Sequence, residues 1–391
     1  MLVAAFGDSG HALPAIALAR GLQGRGHRAV VESWERWREA VEGEGLEFVA
    51  AQEYRPFAGV ADPRDGAPSI ADAARALLPL LDELRPDLVV SDILTGAPAL
   101  AAELRGVGRA TLIPHVYPVA DEGVPFYGFG AMPPRTAVGR ELWRAARPVL
   151  DAGLRRGLRE LNRTRAELGL PPAREFHAGI SRELALVATL PQLEYPRRWP
   201  PHVQVTGPMV YETPYPSVEL PPGDRPLVVV APSTAKDQGA RLVRASLEAL
   251  AAEPVRVLAT TNRAVPAEEV ETPANARVVD WVSYGQVMPE AALVICHGGH
   301  GTVVRALAAG APVLSCGSAG DMAENGARVA WAGAGLAIPR RLVRPGPVRW
   351  AARRILGEPR FAARASQISS WSERRDGAQL GAALVESVAS S

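Results

Sequence analysis

Cysteine is almost absent: 391 residues carry only Cys296 and Cys316, each closing an apolar run. That scarcity excludes a disulfide framework and predicts two buried, reduced thiols, as expected of a cytoplasmic protein. No run of about 18 apolar residues occurs, so no membrane span is expected. Residues 1–6 are apolar but break at Gly7-Asp8-Ser9-Gly10-His11, too short and too poor in leading positive charge for a secretory signal. An excess of one charge is missing as well. Lys plus Arg (43) nearly cancels Asp plus Glu (42), so no global field recruits nucleic acid or an anionic membrane. Metal-ligand spacing and a fixed repeat of roughly 20–50 residues are also lacking, which argues against a resident metal and against a solenoid.

What is present is the balance of a globular enzyme, with 47% hydrophobic and 22% charged residues, at a length that suggests two domains. Short apolar runs alternate with Ala/Leu/Arg-rich stretches of helical period, the pattern of parallel sheets flanked by helices. Strands are expected at 2–6, 29–32, 47–50, 88–91, 110–113, 184–188 and 203–206. Helices are expected at 14–24, 37–44, 70–84, 97–104 and 140–168. Within 70–84 the stripe is Leu77, Leu80, Leu81 and Leu84. Residues 122–135 carry Gly, Pro and aromatics and read as a long loop. Six prolines between 207 and 226 mark an interdomain linker. The alternation then restarts, with strands at 227–231, 255–260, 277–279, 293–296 and 313–315, and a last helix at 377–388. The fold class is therefore α/β, with two doubly wound Rossmann-like domains. The division is 1–206 for the first domain, 207–226 for the linker, 227–370 for the second domain, and 371–391 for a helix that packs back on the first.

Ligands of open α/β sheets bind beyond the carboxyl ends of the strands. In the first half those ends carry Gly7–His11, Asp92 and His115. In the second they carry Ser233-Thr234, Asp280-Trp281, His297-Gly298-Gly299-His300-Gly301-Thr302 and Gly320-Asp321. The glycines at 298, 299 and 301 let backbone approach a bulky anion at a helix start, where His297 and Thr302 add donors. Ser233 and Thr234 read equally as phosphate donors or as a helix cap. Trp281 offers an indole for a nucleobase or for the core, and Asp321 and Asn325 offer partners for sugar hydroxyls. His11, placed just before a helix opened by Pro14, should stay neutral, because a helix N-terminus disfavours imidazolium. Asp92 can hold its opposite ring nitrogen. His115 lines the same edge. Phe126, Tyr127 and Phe129 in the long loop are the candidate acceptor wall. His27, His177 and His202 read as surface.

On these residues the chain resembles a bacterial family-one glycosyltransferase of the GT-B fold, of the kind that glycosylates polyketide, macrolide and other natural-product acceptors. The resemblance rests on Gly10-His11 with Pro14, the Asp92 strand end and the proline-rich linker. It rests above all on Asp280-Trp281, His297 through Thr302, Ala308-Ala309-Gly310-Ala311-Pro312 and Asp321 to Asn325. It implies two domains facing across a cleft and inverting transfer from a UDP- or dTDP-sugar, with no metal and no cofactor beyond that co-substrate. His11 would be the base and Asp92 its support. Ser233, Thr234, His297, Gly299, Gly301 and Thr302 would hold the diphosphate. Trp281 would pack near the base, and Asp321, Met322 and Asn325 would meet the sugar. Three positions depart from the family pattern. Ser283-Tyr284 replaces Pro-Gln, Met322 replaces Gln, and Arg305 stands where a glutamate often holds the ribose.

The partners implied are a nucleotide sugar and a small apolar or aromatic acceptor, with the chain a monomer or homodimer. Rival readings are a nucleotide-sugar epimerase of the same fold, an NAD-dependent oxidoreductase using Gly7–Gly10 with Glu32 on the ribose, and a non-catalytic binding protein.

Overall fold

Runs of Val, Ile, Leu and Ala that carry no alternating polar positions can form only strands covered on both faces, so helices must lie above and below each sheet. The computed structural model, described for all residues except 53–67, 122, 234–239, 319 and 391, has that layering. The first half runs β1 (Leu2–Ala4), α1 (Ser9–Gly24), β2 (Val30–Ser33), α2 (Arg38–Glu42), β3 (Glu47–Ala50) and α3 (Ile70–Leu84). It continues with β4 (Leu88–Asp92), α4 (Gly96–Arg105), β5 (Gly108–Ile113), α5 (Ala137–Glu167), β6 (Leu184–Val187) and β7 (Val203–Val205). The second half runs β8 (Leu227–Ala231), α6 (Arg241–Leu250), β9 (Arg256–Thr260), β10 (Ala276–Val279), α7 (Tyr284–Val287), β11 (Ala291–Cys296) and α8 (His300–Ala308). It closes with β12 (Val313–Ser315), α9 (Asp321–Ala332), β13 (Gly335–Ala337), α10 (Pro345–Gly357), α11 (Pro359–Ser372) and α12 (Gly377–Ala389).

The described strands form two parallel sheets in the orders β3-β2-β1-β4-β5-β6-β7 and β10-β9-β8-β11-β12-β13. Both are doubly wound. The winding direction reverses between β1 and β4 in the first and between β8 and β11 in the second, opening a crevice at each carboxyl edge. Each sheet is sandwiched, with cores such as Ile16, Leu18, Leu112 and Leu186 on one face of the first and Val243, Leu247, Ile295 and Ile355 on one face of the second.

Several local expectations shift. Helix α1 begins at Ser9 rather than Pro14, because the Asp8 carbonyl accepts from both the His11 and Ala12 amides at 2.9 Å and starts the first turn early. Pro14 is tolerated one turn in, near the helix start, and His11 lies inside the helix rather than before it. On α3, Leu78 rather than Leu80 joins Leu77, Leu81 and Leu84 against the core. His27 is not a free surface residue, since its Nε2 lies 3.0 Å from Glu386 Oε1, and His177 and His202 are half-buried.

Between β7 and β8 the chain has no helix or strand, yet it is well anchored. Met209 and Tyr211 enter the first core, while Val218 and Leu220 pack on the second. Helix α12 returns to the first domain. Its Ala382 and Val385 join Ile16 and Leu18, and α1 approaches so closely that a Cβ on Gly21 would meet the Ala378 carbonyl at 2.8 Å. Among the described residues, no helix is long and apolar enough to cross a membrane.

Candidate active site

Three neighbouring strands of the first sheet deliver polar groups to its carboxyl edge. His11 follows β1, Asp92 ends β4 and His115 follows β5. His11 Nδ1 lies 2.7 Å from Asp92 Oδ2, across the crevice where the winding reverses. Asp92 is 2% exposed, and its other oxygen accepts the Leu94 amide at 2.8 Å, so the carboxylate is fixed at both ends. Because that carboxylate must accept, the His11 proton sits on Nδ1 and Nε2 offers its lone pair when the ring is neutral. Burial alone would lower the His11 pKa, but Asp92, then Asp8 and Asp321, outweigh it, and the value is raised above 6.5. This corrects the expectation of a ring kept neutral by the helix N-terminus. A partial dipole charge competes poorly with three carboxylates, one of them hydrogen-bonded.

His115 is the opposite case. Its Nδ1 lies 2.7 Å from the Val116 carbonyl, its ring stacks on Tyr127 at 5.0 Å, and burial, followed by the nearby His11, pushes its pKa down to about 4. The rings of His11 and His115 stand edge to face with centroids 6.3 Å apart. Of the three loop aromatics, Tyr127 joins this group. Phe126 and Phe129 turn to Trp143 of α5, at 6.3 and 6.5 Å, and Phe129 is 60% exposed.

In the second sheet, β11 ends in Cys296 and α8 starts at His300, capped by Gly299, so the first-turn amides of 300, 301 and 302 have no helical partners. Gly298 has φ +86°, and a Cβ there would meet Ser315 Oγ at 2.7 Å, so only glycine lets the chain turn this tightly. The His297 ring lies over Gly299, where any Cβ would overlap it. His297 Nδ1 faces the Ala231 carbonyl at 3.4 Å, and burial lowers its pKa. Thr302 is nearly buried in the first turn of α8.

His297 also lines a pocket with Ser233, Arg241, Ser318, Met322 and Arg340. Thr234 lies outside the described residues. Trp281 is half-buried, with its ring toward Arg263 at 5.4 Å and Tyr215 at 6.4 Å. Asp321 is exposed at the start of α9 and acts electrostatically on His11, His115, Tyr127 and His297, which places it at the meeting of the two sides. Asn325 does not face a sugar. It is fully buried, donating to the Gly298 carbonyl at 2.9 Å and accepting from His300 Nδ1 at 3.1 Å, so it braces the glycine turn. His300 is correspondingly buried, with a pKa pushed down to about 4. Glu32, which an NAD-binding reading would place on a ribose, is 3% exposed inside β2, and burial raises its pKa to about 7.

Two of the departures from the family pattern, Arg305 and Ser283, meet at one carboxylate. Arg305 Nε donates to Glu212 of the linker at 2.7 Å and its NH2 group to the Tyr211 carbonyl at 2.8 Å, while Ser283 Oγ donates to the same carboxylate at 3.2 Å. Tyr284 is held by Asn262, whose amide donates to its hydroxyl at 3.1 Å. Met322 Sδ accepts from Ser318 Oγ at 3.2 Å.

Sequence reasoning missed a second network. Arg328, 1% exposed, bonds Glu324 and Glu194, each at 2.9 Å, and lies over the Tyr195 ring at 3.8 Å. Glu194 in turn accepts the Tyr117 amide at 2.6 Å, so a buried ion triad welds α9 to the loops of the first domain. The Glu324/Arg328 spacing on one helix was the available signal, and nothing in the sequence marks Glu194. Arg241 and Arg340 were also missed, for want of any motif around them.

The arrangement is that of the GT-B fold. The glycosyltransferase of kitacinnamycin superposes with a TM-score of 0.79 at 22% identity, over 99% of this chain and 98% of that one. The glycosyltransferase VinC in complex with dTDP gives 0.70 at 20% identity, over 100% and 99%. In sequence, the chain is 29% identical over 420 residues to 4'-demethylrebeccamycin synthase of Lentzea aerocolonigenes, spanning 99% of this chain and 98% of that protein. Residues 242–374 match the erythromycin biosynthesis protein CIII-like C-terminal domain. The chain is a glycosyltransferase of the GT-B fold. The proteins it is similar to are glycosyltransferases of natural-product biosynthesis.

Proposed function

We propose that the protein transfers a sugar, with inversion at the anomeric carbon, from a UDP- or dTDP-sugar to a small apolar or aromatic natural-product acceptor, His11 acting as general base. The observation that carries this reading is the His11–Asp92 bond of 2.7 Å at the crevice facing Asp321 of the other domain. Neutral His11 takes the acceptor proton on Nε2 as the oxygen attacks. Asp92 fixes the tautomer and stabilises the imidazolium that forms, a contribution of roughly 10²–10⁴-fold for a well-placed base. The departing diphosphate is met by the amides opening α8 and by Ser233, Thr302 and the guanidinium-lined pocket of Arg241 and Arg340, so protein groups alone balance its charge. Asp321 receives the sugar hydroxyls, and Trp281 stacks on the base. Two relatives support the choice of ligands. One is named as a synthase of a rebeccamycin derivative, and VinC was solved with dTDP bound.

Thermal shift with UDP and dTDP, followed by transfer from the matching sugar nucleotide, tests the reading. The preferred nucleotide should raise the melting temperature by mass action, and the product's anomeric configuration, read by proton NMR, should be opposite to the donor's. Retained configuration would remove the single-displacement mechanism.

A further inference from the structure

His11 accounts for one lone pair in the acceptor pocket, and the structure holds a second that this chemistry leaves unused. A carbonyl oxygen can only accept, so the 2.7 Å contact of His115 Nδ1 with the Val116 carbonyl fixes the His115 proton on Nδ1. Burial keeps the ring neutral, and its Nε2 is then an acceptor that has no proton to give. That nitrogen is not among the buried polar atoms that lack a partner, and among the described residues no donor bonds it, so it is not sealed from solvent. The ring is held rigidly by its backbone bond and by Tyr127 stacked at 5.0 Å, and its centroid is 6.3 Å from that of His11. Two Nε2 acceptors therefore sit on neighbouring rings, one whose pKa its carboxylates raise and one whose pKa burial lowers.

We infer that His115 is a specificity-determining residue that accepts a hydrogen bond from a second O–H or N–H of the acceptor, adjacent to the hydroxyl that reacts. The substrate class is thus narrowed to acceptors that present two neighbouring donors on a flat or apolar frame, such as a vicinal diphenol. A molecule with a lone hydroxyl leaves the His115 nitrogen desolvated and unpaired. Such a molecule is discriminated against through binding, because the proton that moves in the reaction is taken by His11 in both cases. This rests on the transfer reading given above.

The test compares catechol with guaiacol, which has the same ring but has one hydroxyl methylated, as acceptors for the wild-type enzyme and UDP- or dTDP-glucose. Wild type should favour catechol by roughly tenfold in kcat/KM, with the difference in KM. His115→Leu should collapse that ratio to near unity, whereas His115→Gln, whose amide oxygen can also accept, should restore much of it. The acid limb of the pH profile should stay where His11 puts it in both variants. If the leucine variant does not fold, the wild-type ratio and the glutamine variant still decide. Equal kcat/KM for the two probes in wild type, or an unchanged ratio in His115→Leu, overturns the assignment and leaves the transfer reading intact. Absence of transfer to either probe from either donor overturns the transfer reading and the assignment with it.

Discussion

His11 and His297 flank the reversal points of two sheets of like winding, His11 after β1 and His297 after β11, the counterpart of β4. Each lies beside the crevice where the strand order reverses, one just inside a helix start and the other just before one. Their proton affinities nevertheless move in opposite directions, up for His11 and down for His297. The fold supplies the position and the partner on Nδ1 supplies the chemistry. A carboxylate 2.7 Å away makes His11 a stronger base, while a carbonyl at 3.4 Å leaves His297 a neutral ring under burial. In the proposed reaction, an incoming diphosphate would be the missing charge on that second side. With Nδ1 turned to Ala231, His297 can donate to a phosphate oxygen only by taking up a proton, so anion binding and protonation are linked there.

The strongest way to break the comparison is to neutralise the partner of His11. Asp92→Asn should lower kcat/KM by roughly 10²–10⁴-fold. Since Asp92 raises the His11 pKa, losing it should also move the acid limb of the pH profile to lower pH. An unmoved limb would mean that His11 is not the titrating group.

Next in size, Arg328→Ala should destabilise the protein by about 3–5 kcal/mol in urea unfolding, because Glu194 and Glu324 are left as buried, uncompensated charges. A loss under about 1 kcal/mol, the value of an exposed pair, would show that the triad is solvated.

On the donor side, nucleotide affinity measured by calorimetry should strengthen as pH falls toward the lowered His297 pKa, with proton uptake visible as a buffer-dependent enthalpy. His297→Gln should weaken binding by about tenfold and abolish that uptake. Affinity independent of pH in the wild type would separate His297 from the phosphates. The smallest effect is expected at Arg305. Replacing it with Met should cost about 1 kcal/mol or less, because its partner Glu212 is 36% exposed and can be rehydrated.

The residues legible in the sequence are those next to an apolar run. His11, Asp92, His115, His297 and Asp321 each stand at or just beyond a strand or at a helix start, and strand periodicity locates such edges without reference to the rest of the chain. Partnerships over long separations had no such signal. Arg305 and Glu212 lie 93 residues apart and Arg328 and Glu194 lie 134 apart, with no local pattern linking them. Two misreadings share a cause. Pro14 announced a helix start, but a backbone carbonyl upstream had already begun the helix, and the dipole argument for a neutral His11 gave no weight to the charges of Asp92, Asp8 and Asp321, of which only Asp8 is near in sequence. Asn325 looked like an exposed helix-start residue, yet α9 turns that face inward together with Arg328 and Val329.

The division of labour between the two histidines is tested most directly by one variant, His11→Ala, assayed for glycosyl transfer and for nucleotide affinity on the same preparation. Transfer should fall by roughly 10²–10⁴-fold while the dissociation constant of the preferred nucleotide stays within experimental error of wild type. Near-normal turnover, or loss of nucleotide binding in parallel with activity, would contradict the account.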